Sequence, residues 1–95
     1  MNNTPSWTVT HNAAQSRFEA TVDGQLSEAA YRLNGDVMTM THTSVPPALE
    51  GRGIAASLVE KAIAHAREQG LKIEPQCAYV AAYMQRHPEA KDVLA

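Results

Sequence analysis

The sequence has a single cysteine, Cys77, among its 95 residues, so no internal disulfide can form. It also has no apolar run close to the roughly 20 residues that span a bilayer. The opening Met-Asn-Asn-Thr-Pro carries neither a basic segment nor an apolar one. These absences argue against a disulfide-held secreted scaffold and against a membrane-spanning helix. We expect a cytoplasmic protein with no membrane partner.

An excess of charge of either sign is missing as well. Eight Lys and Arg stand against ten Asp and Glu, giving a net charge of -2, whereas nucleic-acid binding needs many basic side chains to displace counterions. The four histidines and the cysteine show no metal-ligand spacing such as H-x-x-x-H or C-x-x-C. We therefore expect neither a nucleic-acid partner nor a metal site, and any anionic ligand must be held by a local group of residues.

The composition that remains is that of a globular protein, with 44% hydrophobic and 19% charged residues. A chain of this length supports one modest core. We interpret residues 1–95 as a single domain and expect residues 1–5 to be disordered.

The first half of the chain is typical of β-strands. Apolar and polar residues alternate in four runs, residues 7–10, 17–22, 29–33 and 36–45, of which the last is the longest. The pairs Asp23-Gly24 and Asn34-Gly35 separate the later runs, and such two-residue turns join antiparallel strands only. The pattern predicts an antiparallel meander.

The second half has the periodicity of helices. From Gly53, apolar residues recur three and four positions apart as far as Gly70, a residue that commonly ends a helix. A short strand over residues 71–74 follows, and residues 76–87 can form a second helix. The predicted fold class is α+β, with a mainly antiparallel sheet, a long central helix and a C-terminal helix.

The segment before the long helix has two glycines one residue apart, Gly51 and Gly53. Glycines let the backbone approach a bulky anion, and the first amides of a helix lack acceptors and lie at the positive end of its dipole. No Ser, Thr, Asp or Asn directly precedes Ile54 to cap them. A pyrophosphate is a suitable cap, and Arg52 can add a charged contact. By spacing alone, a plain glycine-containing helix start with Glu50 as the cap is the commoner interpretation.

Three motifs follow one another along the chain: His42-Thr43-Ser44-Val45-Pro46, Gly51-Arg52-Gly53-Ile54-Ala55 and Pro75-Gln76-Cys77-Ala78-Tyr79-Val80. In this order they resemble the small single-domain members of the GNAT acetyltransferase superfamily, over roughly residues 9–94. The general acetyl-CoA motif of that superfamily is Gln/Arg-x-x-Gly-x-Gly/Ala. Both glycines match it, whereas Ala48 stands where the motif has Gln or Arg.

The resemblance implies a GNAT-like acyl-CoA N-acyltransferase fold that uses acetyl-CoA as co-substrate and an unidentified amine as acceptor. It implies that the co-substrate is bound by Ser44, Val45, Gly51, Arg52, Gly53, Ile54 and Ala55. The pyrophosphate is expected on the amides of the turn and the helix. The thioester is expected between the end of the long strand and the end of the short one, where a backbone amide near Ser44 can stabilise the oxyanion.

Cys77 and His42 are the candidate catalytic residues. Cys77 opens the last helix, where the helix dipole favours a reactive thiolate. It either carries the acetyl group covalently or only lines the pocket during direct attack by the amine, and an inert buried cysteine is the third interpretation. His42 is expected on the face of Met38 and Met40, either as a buried histidine or as a base for the amine or for Cys77.

Tyr79 and Tyr83 are first interpreted as core or rim aromatics, although either hydroxyl can protonate a leaving thiolate. Glu50 is a weaker candidate for a base. The leading hypothesis is an acetyltransferase acting on a primary amine. Its alternatives are a non-catalytic acyl-CoA-binding module and a plain interaction domain. No motif specifies the acceptor or the oligomeric state.

Overall fold

The computed structural model describes residues 7–95, so the expected disorder of residues 1–5 lies outside the described part. Its strands and helices are β1 (Thr10–Asn12), β2 (Arg17–Val22), β3 (Gln25–Asn34), β4 (Val37–Ser44), α1 (Ile54–Gln69), β5 (Lys72–Pro75) and α2 (Ala78–Arg86). Short 3-10 turns lie at Ala13–Gln15, Pro47–Leu49 and Pro88–Val93. The predicted α+β order of four strands, a helix, a strand and a helix is confirmed.

The five strands form one sheet in chain order. The first four pair antiparallel, and β5 pairs parallel with β4 after the crossover through α1. The turn Asp23-Gly24 joins β2 to β3 as predicted, since Val22 pairs with Gln25. The next turn is centred on Gly35-Asp36, one residue later than predicted, because its flanking residues pair across the hairpin.

Several element boundaries differ from the expected ones. β3 has 10 residues and is the longest strand, whereas β4, expected to be the longest, has 8. Residues 25–30 of β3 pair with β2 and residues 28–34 pair with β4, and the two ladders together extend β3 beyond its alternating part. β1 starts later than the alternation of residues 7–10 indicates, and α2 is shorter than residues 76–87.

Both helices pack on one face of the sheet. The buried side chains of α1 and α2 join those of the strands in a single core cluster, with Phe18, Met38, Met40, Leu58 and Ile73 among its fully buried members. Each such side chain stabilises the fold by about 1.5–3 kcal/mol. The other face of the sheet carries charged and polar side chains that include Arg17, Glu19, Glu28 and His42. No helix in residues 7–95 is long and apolar enough to cross a membrane.

A β-bulge in β4 changes which of its residues face the core. Ala30 pairs with His42 and Tyr31 pairs with Met40, so Thr41 has no partner of its own. An extra residue reverses the alternation of side chains beyond it. The prediction that His42 shares the face of the β4 methionines is therefore wrong: Met40 is fully buried, and the His42 side chain is 56% exposed.

Candidate functional site

A cavity of about 610 Å³ opens where β4 ends and α1 begins. The end of β4, the connecting segment, the first turn of α1 and one aromatic residue of α2 form its walls. Of the seven residues predicted to bind acetyl-CoA, six line this cavity: Ser44, Val45, Gly51, Gly53, Ile54 and Ala55. The structure thus brings together residues from a strand end and a helix start that the sequence places about ten positions apart.

The backbone around the two glycines leaves a row of amides without acceptors. Gly51 and Gly53 have φ angles of 86° and 88°, a region that glycine enters at little cost. α1 has no side-chain cap and no acidic residue in its first turn. Within residues 7–95, the amides of residues 51–56 donate to no protein acceptor, and the first helical bond runs from the Ser57 amide to the Gly53 carbonyl at 3.1 Å. Free amides at the start of a long helix can bind an anion.

Arg52, the seventh predicted residue, does not line the cavity. Its Nη1 donates to Oδ2 of Asp23, in the β2–β3 turn, at a distance of 3.1 Å. The two side chains are 46% and 61% exposed. The guanidinium therefore lies at the outer rim of the turn, beside a carboxylate, whereas the sequence predicted it at a phosphate.

Cys77 lies immediately before α2 and next to the cavity wall. Its Sγ is 3.6 Å from Oγ1 of Thr43, and Thr43 lines the cavity. The Cys77 amide donates to the Met40 carbonyl at 2.9 Å, directly beyond the last pair of the β4–β5 ladder. The thiol is thus held where the two parallel strands separate.

The surroundings of the thiol favour its ionised form. Burial raises the pKa of Cys77, but the amide of Val80, the hydroxyl of Thr43 and the amide of Tyr79 stabilise the thiolate, and the net result is a lowered pKa. No side-chain hydrogen bond caps α2, so the amides of its first turn act on the sulfur as partial positive charges. A lowered pKa is typical of thiols that react as nucleophiles.

His42 lies on the open face of the sheet. Its Nε2 is 3.2 Å from Oε2 of Glu28, whose Oε1 accepts a hydrogen bond from Nη1 of Arg17 at 3.1 Å. The next residue, Thr43, points toward the cavity, so His42 projects from the opposite side of β4. The structure does not bring His42 together with Cys77, and a role as the base for that thiol loses its geometric support.

The two tyrosines of α2 occupy different places. Tyr79 is 39% exposed and lines the cavity, whereas Tyr83 is buried and its hydroxyl donates to Oε2 of Glu60 on α1 at 3.1 Å. Burial and the bonded carboxylate of Glu60 raise the pKa of Tyr83 to about 12. Tyr83 thus joins the two helices, and Tyr79 is the one placed to reach a ligand.

Sequence reasoning missed Thr43 as the neighbour of Cys77 and Glu28 as the partner of His42. Thr43 is one of several threonines in an alternating run, and it faces the cavity only because the bulge precedes it. Glu28 meets His42 only through the register of β3 with β4. No group of three or more His, Cys, Asp or Glu side chains converges as a metal site in the described part of the chain.

A comparison with protein families identifies the relatives of this fold and site. A family model described as GCN5-related N-acetyl-transferase matches residues 17–93, a span that contains the cavity, the turn and Cys77. The chain belongs to the GCN5-related N-acetyltransferase family. The resemblance drawn from the three motifs is confirmed, and membership identifies an acyltransferase enzyme. This favours the leading hypothesis over a non-catalytic module and over a plain interaction domain.

Individual relatives of this GCN5-related N-acetyltransferase agree with the family assignment. Protein NATD1 of mouse and of human are each 31% identical to it over 83 residues, which is 84% of this chain and 76% and 74% of theirs. The solution NMR structure of a GCN5-like protein from Staphylococcus aureus superposes with a TM-score of 0.75 at 25% identity, covering 93% of this chain and 87% of that one. The GNAT-like fold is thereby confirmed.

Proposed function

We propose that this protein transfers an acetyl group from acetyl-CoA to an amine and that the cavity between β4 and α1 is its acetyl-CoA site. The observation that carries the proposal is the row of free amides at residues 51–56, which borders a cavity of about 610 Å³ beside Cys77. A pyrophosphate gives these amides their acceptors and lies at the positive end of the α1 dipole. The expected location remains the cytoplasm.

The residues along the cavity fit the successive parts of the co-substrate. Gly51, Gly53 and the start of α1 offer amides to the pyrophosphate, and Ser44 and Val45 form the wall along which the pantetheine arm would extend. The thioester would then lie close to Thr43 and Cys77. A backbone amide near Ser44 or Val45 is proposed to stabilise the oxyanion that forms on the carbonyl.

Direct transfer is the simpler of two routes that this arrangement supports. The amine nitrogen attacks the thioester carbonyl, a C–N bond forms, the C–S bond breaks, and coenzyme A leaves as a thiolate that takes up a proton. Tyr79 is the side chain on the cavity wall that can supply this proton. His42, on the open face, is proposed to accept the proton that the amine loses if the acceptor approaches from that side.

The covalent route passes through Cys77. Its thiolate attacks the carbonyl, coenzyme A leaves, and the amine then attacks the acetyl-cysteine thioester and releases the thiolate again. The lowered pKa of Cys77 supports this route, because a larger thiolate fraction is present near neutral pH. The two routes share the same site and differ in whether an acetylated enzyme exists.

Thermal unfolding with and without acetyl-CoA tests the site itself. A ligand that binds only the native state at 100 times its Kd stabilises the protein by about 2.7 kcal/mol, so the melting temperature should rise. Gly53→Ala should weaken that rise, whereas Gly35→Ala, at a distant hairpin, should leave it unchanged. No rise with millimolar acetyl-CoA in the wild-type protein would contradict the proposal.

Intact mass spectrometry separates the two routes. Incubation with acetyl-CoA should add one acetyl group to the protein in the covalent route, and Cys77→Ala should abolish that addition. Release of coenzyme A that depends on an added amine and persists in Cys77→Ala would instead establish direct transfer. A panel of primary amines and amine-containing peptides serves for this measurement and also narrows the acceptor class.

A further inference from the structure

The side chain of Arg52 lies outside the cavity, and the family assignment does not explain this position. Gly51 and Gly53, on either side of Arg52, both line the cavity, but Arg52 does not. Its guanidinium is held instead by Asp23, with Nη1 and Oδ2 at 3.1 Å. The one basic side chain of the turn is therefore directed toward a carboxylate of the protein rather than toward the row of free amides.

The carboxylate of Asp23 is not needed for the turn in which it lies. Asp23 has a φ angle of 52°, a left-handed conformation that Asn adopts as readily as Asp. The turn closes through backbone pairing of Val22 with Gln25. Asparagine would thus preserve the hairpin and remove only the negative charge, which leaves the ion pair with Arg52 as the contact that uses this charge.

We propose that Asp23 competes with the phosphates of the coenzyme for Arg52 and thereby lowers the affinity of the site for phosphate-bearing acyl donors. The inference rests on the proposed function, since it assumes that the free amides bind a pyrophosphate. In the ligand-free protein, Arg52 pairs with Asp23. When the coenzyme binds, Arg52 turns to the phosphates and leaves the Asp23 carboxylate near them without its partner.

Electrostatics sets the direction of the effect. An exposed ion pair such as this one is weak, so a pyrophosphate that carries more than one charge can take Arg52 from it. Binding nevertheless loses the ion pair and places the Asp23 carboxylate near the phosphates. Both effects oppose binding, and the repulsion grows with the charge of the ligand. Since coenzyme A leaves with the same phosphates with which acetyl-CoA arrives, a weaker hold on them speeds product release.

Titration calorimetry of three proteins with coenzyme A tests this competition. We expect Asp23→Asn to lower the Kd by about three- to tenfold at low ionic strength, with a smaller gain in high salt. The matched control is Asp36→Asn, which removes the same charge from the tip of the neighbouring hairpin and should leave the Kd unchanged. S-acetylpantetheine, which has no phosphate, should bind Asp23→Asn and the wild-type protein alike, and a merely structural role of Asp23 would not produce this difference between ligands.

The same change in an Arg52→Gln background isolates the shared arginine. If Asp23 acts through Arg52, Asp23→Asn should gain less than half as much affinity there as in the wild-type background. An equal gain in both backgrounds, or a Kd for coenzyme A that is unchanged or higher in Asp23→Asn, would overturn the inference while leaving the acetyl-CoA site intact. Wild-type protein that binds no coenzyme A would overturn the proposed function together with the inference.

Discussion

The two ends of α1 are built in opposite ways. At the carboxyl-terminal end, Gly70 takes a left-handed conformation, and its amide and that of Leu71 both donate to the Ala66 carbonyl. Arg67, in the last turn, forms two hydrogen bonds with the Asp92 carboxylate, at 2.7 and 2.8 Å. At the amino-terminal end, the amides of residues 51–56 have no acceptor among the described residues, and no side chain caps the helix.

This difference separates the groups that hold the fold from the groups left for a ligand. A helix normally satisfies its end groups with protein atoms when it can, because unpaired amides lower its stability. Here the carboxyl-terminal end of α1, whose end groups are paired, anchors the helix to the C-terminal segment. The amino-terminal end, whose amides have no acceptor among the described residues, borders the cavity. Substitutions at the first end should therefore change stability, and those at the second should change ligand binding.

The largest expected effect is on ligand binding at the amino-terminal end. Gly53→Ala should weaken acetyl-CoA binding by about tenfold, because alanine is strained at the φ angle of 88° and shifts the amides that face the anion. A Cβ there meets no protein atom within 4 Å, so no clash adds to the effect. Calorimetric Kd values test this. A Kd equal to that of the wild-type protein would show that the amides at the amino-terminal end of α1 do not bind the ligand.

The same substitution at the carboxyl-terminal end of α1 should change the stability of the protein. Gly70→Ala should cost about 1 kcal/mol in the free energy of unfolding, since alanine replaces glycine at a left-handed φ angle of 70°. The Kd for acetyl-CoA should stay the same. Urea denaturation measures the first quantity and calorimetry the second. A change in Kd comparable to that of Gly53→Ala would erase the distinction between the two ends.

The start of α2 extends the comparison, because it too lacks a side-chain cap and faces a functional candidate. The pKa of Cys77 is lowered, so alkylation by iodoacetamide should reach half its maximal rate at a lower pH than in an unstructured peptide with one cysteine. Thr43→Val removes the hydroxyl that is 3.6 Å from the sulfur and should move that midpoint upward. Thr41→Val is the matched control on the same strand and should leave the midpoint unchanged.

The smallest effect is expected from the ion pair between Arg67 and Asp92 at the carboxyl-terminal end of α1. The hydrogen bond from Arg67 lowers the pKa of Asp92, so the pair stabilises the fold above the ordinary pKa of an aspartate and this contribution is lost as the pH falls through the lowered pKa. Asp92→Asn should lower the melting temperature slightly at pH 7, because both side chains are half exposed. The difference should shrink in strongly acidic buffer, and a difference that persists there would exclude the charge as its cause.

The order of elements and the position of the cavity could be predicted because their signals are local. The strand alternation, the helical period after Gly53 and the unusual lack of a cap before Ile54 are all properties of short segments. Two glycines one residue apart then indicate where backbone amides stay free. For the same reason, six of the seven predicted binding residues line the cavity.

The contacts that depend on distant parts of the chain could not be predicted in this way. Arg52 meets Asp23 only because the β2–β3 turn reaches the start of α1, 29 positions away in sequence. His42 faces Glu28 only because Thr41 is an unpaired residue, and nothing in the run of threonines marks which residue that is. Strand register and hairpin placement decide these pairs, and both are set by the packed sheet.

The bulge at Thr41 divides β4 into two parts whose side chains have different roles. Before it, Met38 and Met40 fill the hydrophobic core; after it, Thr43 turns toward the helices and His42 toward solvent. If Thr41 took a regular place in the ladder, strict alternation would drive the imidazole of His42 into the apolar layer and take the Thr43 hydroxyl away from the sulfur. A single surplus residue therefore marks the point on β4 where the side chains that fill the core give way to those that surround the Cys77 thiol.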